Sequence, residues 1–463
     1  MASPLDKQAT CPNCGAPLTF RFAGAKAQVC EHCRFVVART GDGLSVVGQV
    51  AELVEIASPL VVGATGRWHD EAFAVEGRVQ FDRAGAPGAP WQEHLISFPA
   101  SGRWVWVAAA QGRWYVTSQV DLPPGGVPHW RSLRPGREIT IGSFGAFTVA
   151  EVGQRRVVSA EGAMPHVAAP GQITRFVDVG GANGGFGTID YGDDEKVPAA
   201  LFLGKQFDPA ELKLDSGAPV ELPEAKVAAL ACPSCGGNLP LVTPGTTERV
   251  VCRYCGTSSD FTKGALVALK QEPKPPRLPE IPLGATGKLR GSDVTCIGFM
   301  GRACTVDGGH YPWREYLLYA GPSTGYLWLM EEDGNWSFVR PLPPGTASIS
   351  GSSATLLGDT YRWKQSVRAV VEYVVGEFYW RVEAGEAVQA TEYSGRDGIL
   401  SVEEADTEIN LSMCERLPAS ELEGAFGVNL GGATSPPDDD APGADGDGAM
   451  RRAGRTLGQV LFV

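Results

Sequence analysis

The chain has 463 residues, 43% hydrophobic and 20% charged, a globular composition long enough for about three ordinary domains. Its 59 Gly and 34 Pro favour short strands and turns over long helices. A formal net charge of −13 argues against a protein that coats nucleic acid, because that affinity comes from Lys and Arg neutralising phosphates.

The first ten residues, MASPLDKQAT, lack the basic and apolar regions of a secretory signal. The longest purely apolar run, WVWVAAA, has seven residues, against about 20 for a membrane span. The expectation is a soluble, cytoplasmic protein.

The first element, residues 1–45, reads as a zinc ribbon. Cys11, Cys14, Cys30 and Cys33 form two C-x-x-C pairs with 15 residues between them, the spacing of a four-cysteine metal site. Two residues between cysteines let one tight turn aim both sulfurs at a point. The long insert allows a hairpin that brings the second turn alongside the first. Gly15 follows the first pair, where positive φ is needed to leave the turn; Arg34 takes that place after the second pair. Four thiolates fill a tetrahedral shell and leave no position for water, so the ion is structural. A redox dithiol instead wants one pair beside a βαβ unit. His32 could compete as a ligand, but Cys33 preserves the paired symmetry. Arg21, Lys26, Arg34 and Arg39 against Glu31 give this ribbon only a small positive excess, a minor signal for nucleic acid.

A β domain over 58–214 follows. Phe73, Val75, Val79 and Phe81 alternate with Glu76, Arg78 and Gln80, as on a strand with one apolar face. Trp104 and Trp106 oppose Val105 and Val107, so that strand is buried on both sides. GGANGGFG, residues 180–187, lacks the strand-then-helix frame of a phosphate loop and reads as a flexible loop.

A second ribbon occupies 226–268, with Cys232, Cys235, Cys252 and Cys255 and 16 residues between its pairs. Proline-rich KQEPKPPRLPEIP then forms an extended spacer into a second β domain, 278–428. Residues 429–463 form an acidic tail with almost no core-forming residues, expected to be disordered. Arg451, Arg452 and Arg455 precede TLGQVLFV, resembling the flank of a membrane helix, so membrane contact is expected only through this tail.

The second half copies the first at an offset near 221, and a repeat of this size governs the fold. GATG occurs at 63–66 and 284–287; WQEHLISF aligns with WREYLLYA, WVWV with YLWL, GRWYV with GNWSF, and AEGAMPHVAAPGQ with VVGEFYWRVEAGE. The fold class is therefore mainly β: two zinc ribbons alternating with two related antiparallel sandwich or barrel-like domains.

The repeat places Trp91 and Glu93 level with Trp313 and Glu315. Two residues apart on a strand, Trp and Glu project to the same face. Such a pair is either a site for a small cation, by charge and cation–π attraction, or a structural glutamate accepting backbone hydrogen bonds. Catalysis wants converging titratable groups, and one Glu per domain does not supply them. The six histidines show no ligand or nucleophile–base spacing, and there is no G-x-S-x-G, H-E-x-x-H or P-loop. Cys296 takes an inward strand position as a small core residue.

These motifs resemble the domain-of-unknown-function family 4178, carried by GATGRW, FAVEGRVQF, WQEHLISF and WVWV in the first copy and by WREYLLY, YLWL, GNW, GEFYWRVEAGE and ILSVEE in the second. The first copy departs at GEFYW, showing EGAMPHV. The resemblance implies zinc ribbons beside the β domains and a link to polyamine metabolism or membrane stress, and carries no list of functional residues. The expected function is a non-enzymatic scaffold or protein-binding protein with two structural zinc ions. The alternatives are a binder of, or enzyme acting on, small cations at the Trp/Glu pairs, and nucleic-acid binding through the ribbons.

Overall fold

The computed structural model describes residues 7–20, 22, 24–40, 43–53, 56, 58–110, 113–215, 228–243, 245–262, 265–321 and 324–430. The acidic tail beyond residue 430 lies outside them.

Each half of the chain is built on a closed antiparallel barrel of eight strands. The first comprises β1 Glu71–Arg83, β2 Ala86–Ser97, β3 Trp104–Ala110, β4 Arg113–Val120, β5 Ala146–Met164, β6 Ile173–Gly181, β7 Gly185–Gly192 and β8 Ala200–Phe207. The second comprises β9 Ser292–Val306, β10 Gly309–Tyr319, β11 Tyr326–Glu332, β12 Asn335–Leu342, β13 Asp359–Phe378, β14 Ala387–Gly395, β15 Gly398–Glu404 and β16 Ile409–Leu417. Both have the order 1-2-3-4-8-7-6-5. Two four-strand meanders are joined where β4 meets β8 and closed where β5 meets β1; β12–β16 and β13–β9 do the same in the second barrel. Closure removes the exposed edges of an open sheet.

The ribbons are not separate beads. Ala27–Val29 pairs with the end of β5, at Ala163 and Met164, and Arg249–Val251 pairs with the end of β13, from Gly376 to Phe378. The core of the first ribbon, including Phe20, Val36 and Val37, is continuous with Val79, Phe81, Leu95 and Trp106 of the barrel. In the second half, Glu377 of β13 is buried and accepts hydrogen bonds from the Val242 and Thr243 amides, each 2.7 Å, and from the hydroxyls of Thr243 and Thr247.

The expected buried strand is present. Trp106 packs into the core shared with the ribbon, while Val105 and Val107 pack on the opposite face with Leu60, Phe73 and Phe98. The expectation of one apolar face on β1 is corrected. A β-bulge between Val75 and Gly77 puts the residues before and after it on opposite faces. Phe73 and Val75 therefore join one cluster and Val79 and Phe81 the other, and Glu76 and Gln80 are buried.

A further expectation changes. The glycine stretch 180–187 is a tight turn between β6 and β7, not a flexible loop. Gly180 meets the second barrel, where a Cβ would lie 1.9 Å from the Pro344 carbonyl oxygen. Beside it, the Val152 amide donates to the Thr407 carbonyl oxygen at 2.8 Å, and Arg83 bridges Glu151 and Glu408 across the same seam. The proline-rich segment, expected as an extended spacer, also docks on the second half. Glu272 accepts from the Ala384 amide, the Glu280 amide donates to the Tyr316 hydroxyl, and Ile281 is fully buried. Among the described residues there is one α-helix, α1 Ala419–Phe426, which seats Leu422 in the outer cluster of the second barrel.

The repeated GATG has a backbone cause. Gly63 and Gly284 hold φ of +90° and +88°, and a Cβ on Gly66 or Gly287 would lie 2.3 or 2.4 Å from a carbonyl oxygen of the neighbouring segment.

Candidate metal centres and barrel ion clusters

Each ribbon brings its four cysteine sulfurs to one point. All four lie within 4.8 Å of one another in both groups, with Cys11–Cys33 and Cys14–Cys30 at 3.7 Å and Cys232–Cys255 and Cys235–Cys252 at 3.7 and 3.8 Å. A tetrahedral ion with metal–sulfur bonds of about 2.3 Å needs sulfurs about 3.8 Å apart, so both groups could hold such an ion. The turns are built as the spacing requires. The amides of Gly15, Arg34, Gly236 and Gly256 each donate to the carbonyl of the first cysteine of their pair, with φ of +75°, +59°, +72° and +81°. Arg34 is thus a side chain held in a region that favours glycine. His32 is exposed and stands outside the sulfur group. The Thr257 hydroxyl lies 3.1 Å from the Cys255 sulfur.

The Trp/Glu pairs point into the barrels, and each glutamate belongs to a larger cluster. In the first barrel Trp91 Nε1 donates to Glu93 Oε1 at 3.4 Å. Arg155 of β5 joins Glu93 at 2.9 Å and Asp190 of β7 at 2.7 Å, lying over the Phe81 ring with its guanidinium carbon 4.4 Å from the centroid. In the second barrel Trp313 Nε1 donates to Glu315 Oε1 at 2.6 Å, and Arg302 of β9 joins Glu403 of β15 at 2.8 Å and Glu315 at 3.5 Å.

The two clusters share their acids but not their cation. Phe81 pairs with Val157, and Arg302 with Val371. The same turn hydrogen bonds surround both valines: Gly171 and Gly385 donate to them, and they donate to Gln172 and Glu386. Phe81 is therefore level with Arg302, and Arg155 with Ala369. Asp190 and Glu403 are level too, through their partners Phe176 and Ala390. An acid–arginine–acid triad recurs with equivalent carboxylates, and its arginine comes from adjacent strands.

Their exposure differs. Arg302, Glu315 and Glu403 are buried, and burial pushes Glu315 up to about 7 and Glu403 to about 8 despite the arginine. One cation can balance only one carboxylate, so the other keeps its proton near neutrality. Trp313 and Glu315 are thus buried within an internal ion cluster. The first triad borders a cavity of about 340 Å³ lined from all eight strands, including Phe81, Glu93, Trp106, Arg155 and Asp190.

Sequence reasoning reached both glutamates and missed Arg155, Asp190, Arg302 and Glu403. Arg155, Asp190 and Glu403 come from strands that are not hairpin neighbours of the glutamate's strand, so no local spacing links them; Arg302 lies on the strand paired directly with that of Glu315. Among the described residues, no helix is long and apolar enough to cross a membrane. The family model described as a domain of unknown function, DUF4178, matches residues 61–209 and 282–419, one match on each barrel. No curated protein and no solved structure matches the chain.

Proposed function

For a chain that belongs to the DUF4178 family, we propose a non-enzymatic protein-binding scaffold in which each ribbon holds one structural zinc ion and caps a barrel. The observation that carries this reading is the pairing of sulfur geometry with strand continuity. Each four-sulfur group fits a closed tetrahedral shell, and its ribbon strand is hydrogen-bonded to the longest strand of its barrel. An ion so placed orders the ribbon and fixes the end of β5 or β13, and offers no open coordination position for chemistry.

The outer ribbon strands supply contact surface for a protein partner. Gly43–Gln49 and Ala265–Gln271 are the outermost strands of their sheets among the described residues. They expose Val46 and Val47 in one ribbon and Val267 and Leu269 in the other, as strand addition at a sheet edge requires. The buried thiols of Cys296, Cys304 and Cys414, with metal-type cysteine pairs, fit a reducing compartment such as the cytoplasm.

Elemental analysis of purified full-length protein tests the reading. Two zinc ions per chain are expected, falling to one in Cys14→Ser or Cys235→Ser. Chelation is expected to speed hydrogen exchange in the ribbons and at the ends of β5 and β13. Metal-free protein with unchanged exchange protection would refute it.

A further inference from the structure

We infer that the first barrel, and not the second, binds a small organic cation inside its wall, at Glu93, Asp190 and Trp106. An eight-stranded barrel is either filled by its own side chains or holds one small ligand, and this chain contains both outcomes. The first barrel keeps a cavity of about 340 Å³, at the small end of the ~300–1,000 Å³ range of ligand clefts.

The cavity exists because the copies diverge at one turn. In the second barrel Tyr379 stacks on Tyr326, with ring centroids 4.2 Å apart, and Trp380 packs on Trp328 at 5.6 Å. Pro165 and His166 stand in those places in the first barrel, and His166 reaches Trp106 at 5.5 Å. A pyrrolidine and an imidazole fill less space than a phenol and an indole, and both Pro165 and His166 line the opening left behind.

The lining sets the charge of the occupant. Three carboxylates, from Glu93, Asp190 and Asp193, face two basic side chains, Lys26 and Arg155. Arg155 is already shared between Glu93 and Asp190. Glu93 Oε2 has no hydrogen-bond partner among the described residues, and the Glu93 and Asp190 side chains are 20% and 21% exposed. These carboxylates share the cavity with the indole of Trp106, and an ammonium group gains from both a carboxylate and an aromatic face. In the second barrel, among the described residues, the triad is buried and Tyr379 and Trp380 occupy the corresponding turn.

Calorimetric titration of the full, zinc-loaded chain with butylammonium chloride tests this, with butyrate and 1-butanol as charge-reversed and neutral controls at matched ionic strength. One saturable site per chain is expected, weakened at least ten-fold in His166→Trp, which restores the bulk of Trp380 at an exposed position, and in Glu93→Gln. Absence of saturable butylammonium binding would overturn the inference, as would equal binding of either control. Unchanged affinity in whichever of the two variants retains the parent thermal transition would also overturn it. Zinc content measured on the same samples separates this outcome from failure of the zinc scaffold.

Discussion

Replacing Arg302 by Met isolates what the sealed triad does. Arg302 and its partners Glu315 and Glu403 have side chains 5%, 0% and 8% exposed, so water cannot take over when the guanidinium is removed. Breaking a buried ion pair by deleting one partner costs about 3–5 kcal/mol when the remaining charge persists. Here the remaining charge can be discharged by protons. With Arg302 present, burial already raises Glu315 to about 7 and Glu403 to about 8, above their ordinary 4.5, while the arginine pulls both down. Without it both rise further. The folded state then binds more protons than the unfolded chain above the ordinary carboxylate range, so stability falls as pH rises towards the folded-state values. Each group contributes on the order of 1.4 kcal/mol per pH unit. At pH 6 both carboxyls of the variant are neutral, and the expected loss is about 1 kcal/mol. By pH 8.5 it grows to about 3–5 kcal/mol, because the parent ionises against its arginine and the variant cannot. Hydrogen exchange of β9, β10 and β15 reads the opening free energy of this barrel alone, as two barrels need not unfold together. A loss that is the same at both pH values, or larger at pH 6, would refute the reasoning.

Two substitutions test the backbone geometry. Arg34→Gly relieves a φ of +59° and loses an ion pair to Glu52 whose side chains are 41% and 88% exposed. Because exposed pairs contribute little, the first ribbon should gain about 1 kcal/mol or less, read as slower amide exchange in Ala27–Val29. Gly180→Ala places a methyl group where the Pro344 carbonyl sits. The barrels should part at this seam, exposing β6 and the 343–346 turn to protease with both barrel transitions retained; an unchanged cleavage pattern would show that the seam yields without cost.

The fold was legible wherever one physical requirement leaves one sequence mark. Four cysteines must meet at a point, so their spacing revealed both ribbons, and the glycine after a cysteine pair announced the positive φ found at Gly15, Gly236 and Gly256. The repeat was legible because both copies need the same strand faces and the same two close backbone approaches in GATG. The β1 face was misread because a single inserted residue at a bulge reverses the alternation without altering composition. The stretch 180–187 was misread because glycine serves mobility and close approach alike, and only the position of Pro344 distinguishes them. The ion clusters were half legible. Trp and Glu two apart share a face, but Arg155 stands 62 residues from Glu93 and Glu403 stands 101 from Arg302, while Arg302, 13 residues from Glu315 on the paired strand, carries no mark that singles it out.

The displaced arginine carries the argument one step further. If the barrel required an arginine at one fixed strand position, the copies would agree there; instead Phe81 and Arg155 in one answer to Arg302 and Ala369 in the other. What recurs is a pair of inward carboxylates and one cation able to reach both. The double variant Arg302→Phe with Ala369→Arg transplants the first barrel's solution into the second. A guanidinium from β13 at that level would reach Glu315 and Glu403 as Arg155 reaches Glu93 and Asp190, with the new phenyl ring beneath it as Phe81 lies beneath Arg155. Overpacking costs about 1–3 kcal/mol, because Ala369 is fully buried. The double variant should therefore remain less stable than the parent at pH 6, yet lose little more on going to pH 8.5. The pH dependence, not the absolute stability, is the quantity rescued. If the double variant keeps the steep pH dependence of Arg302→Met, the strand that supplies the arginine matters in itself and the equivalence of the two triads fails.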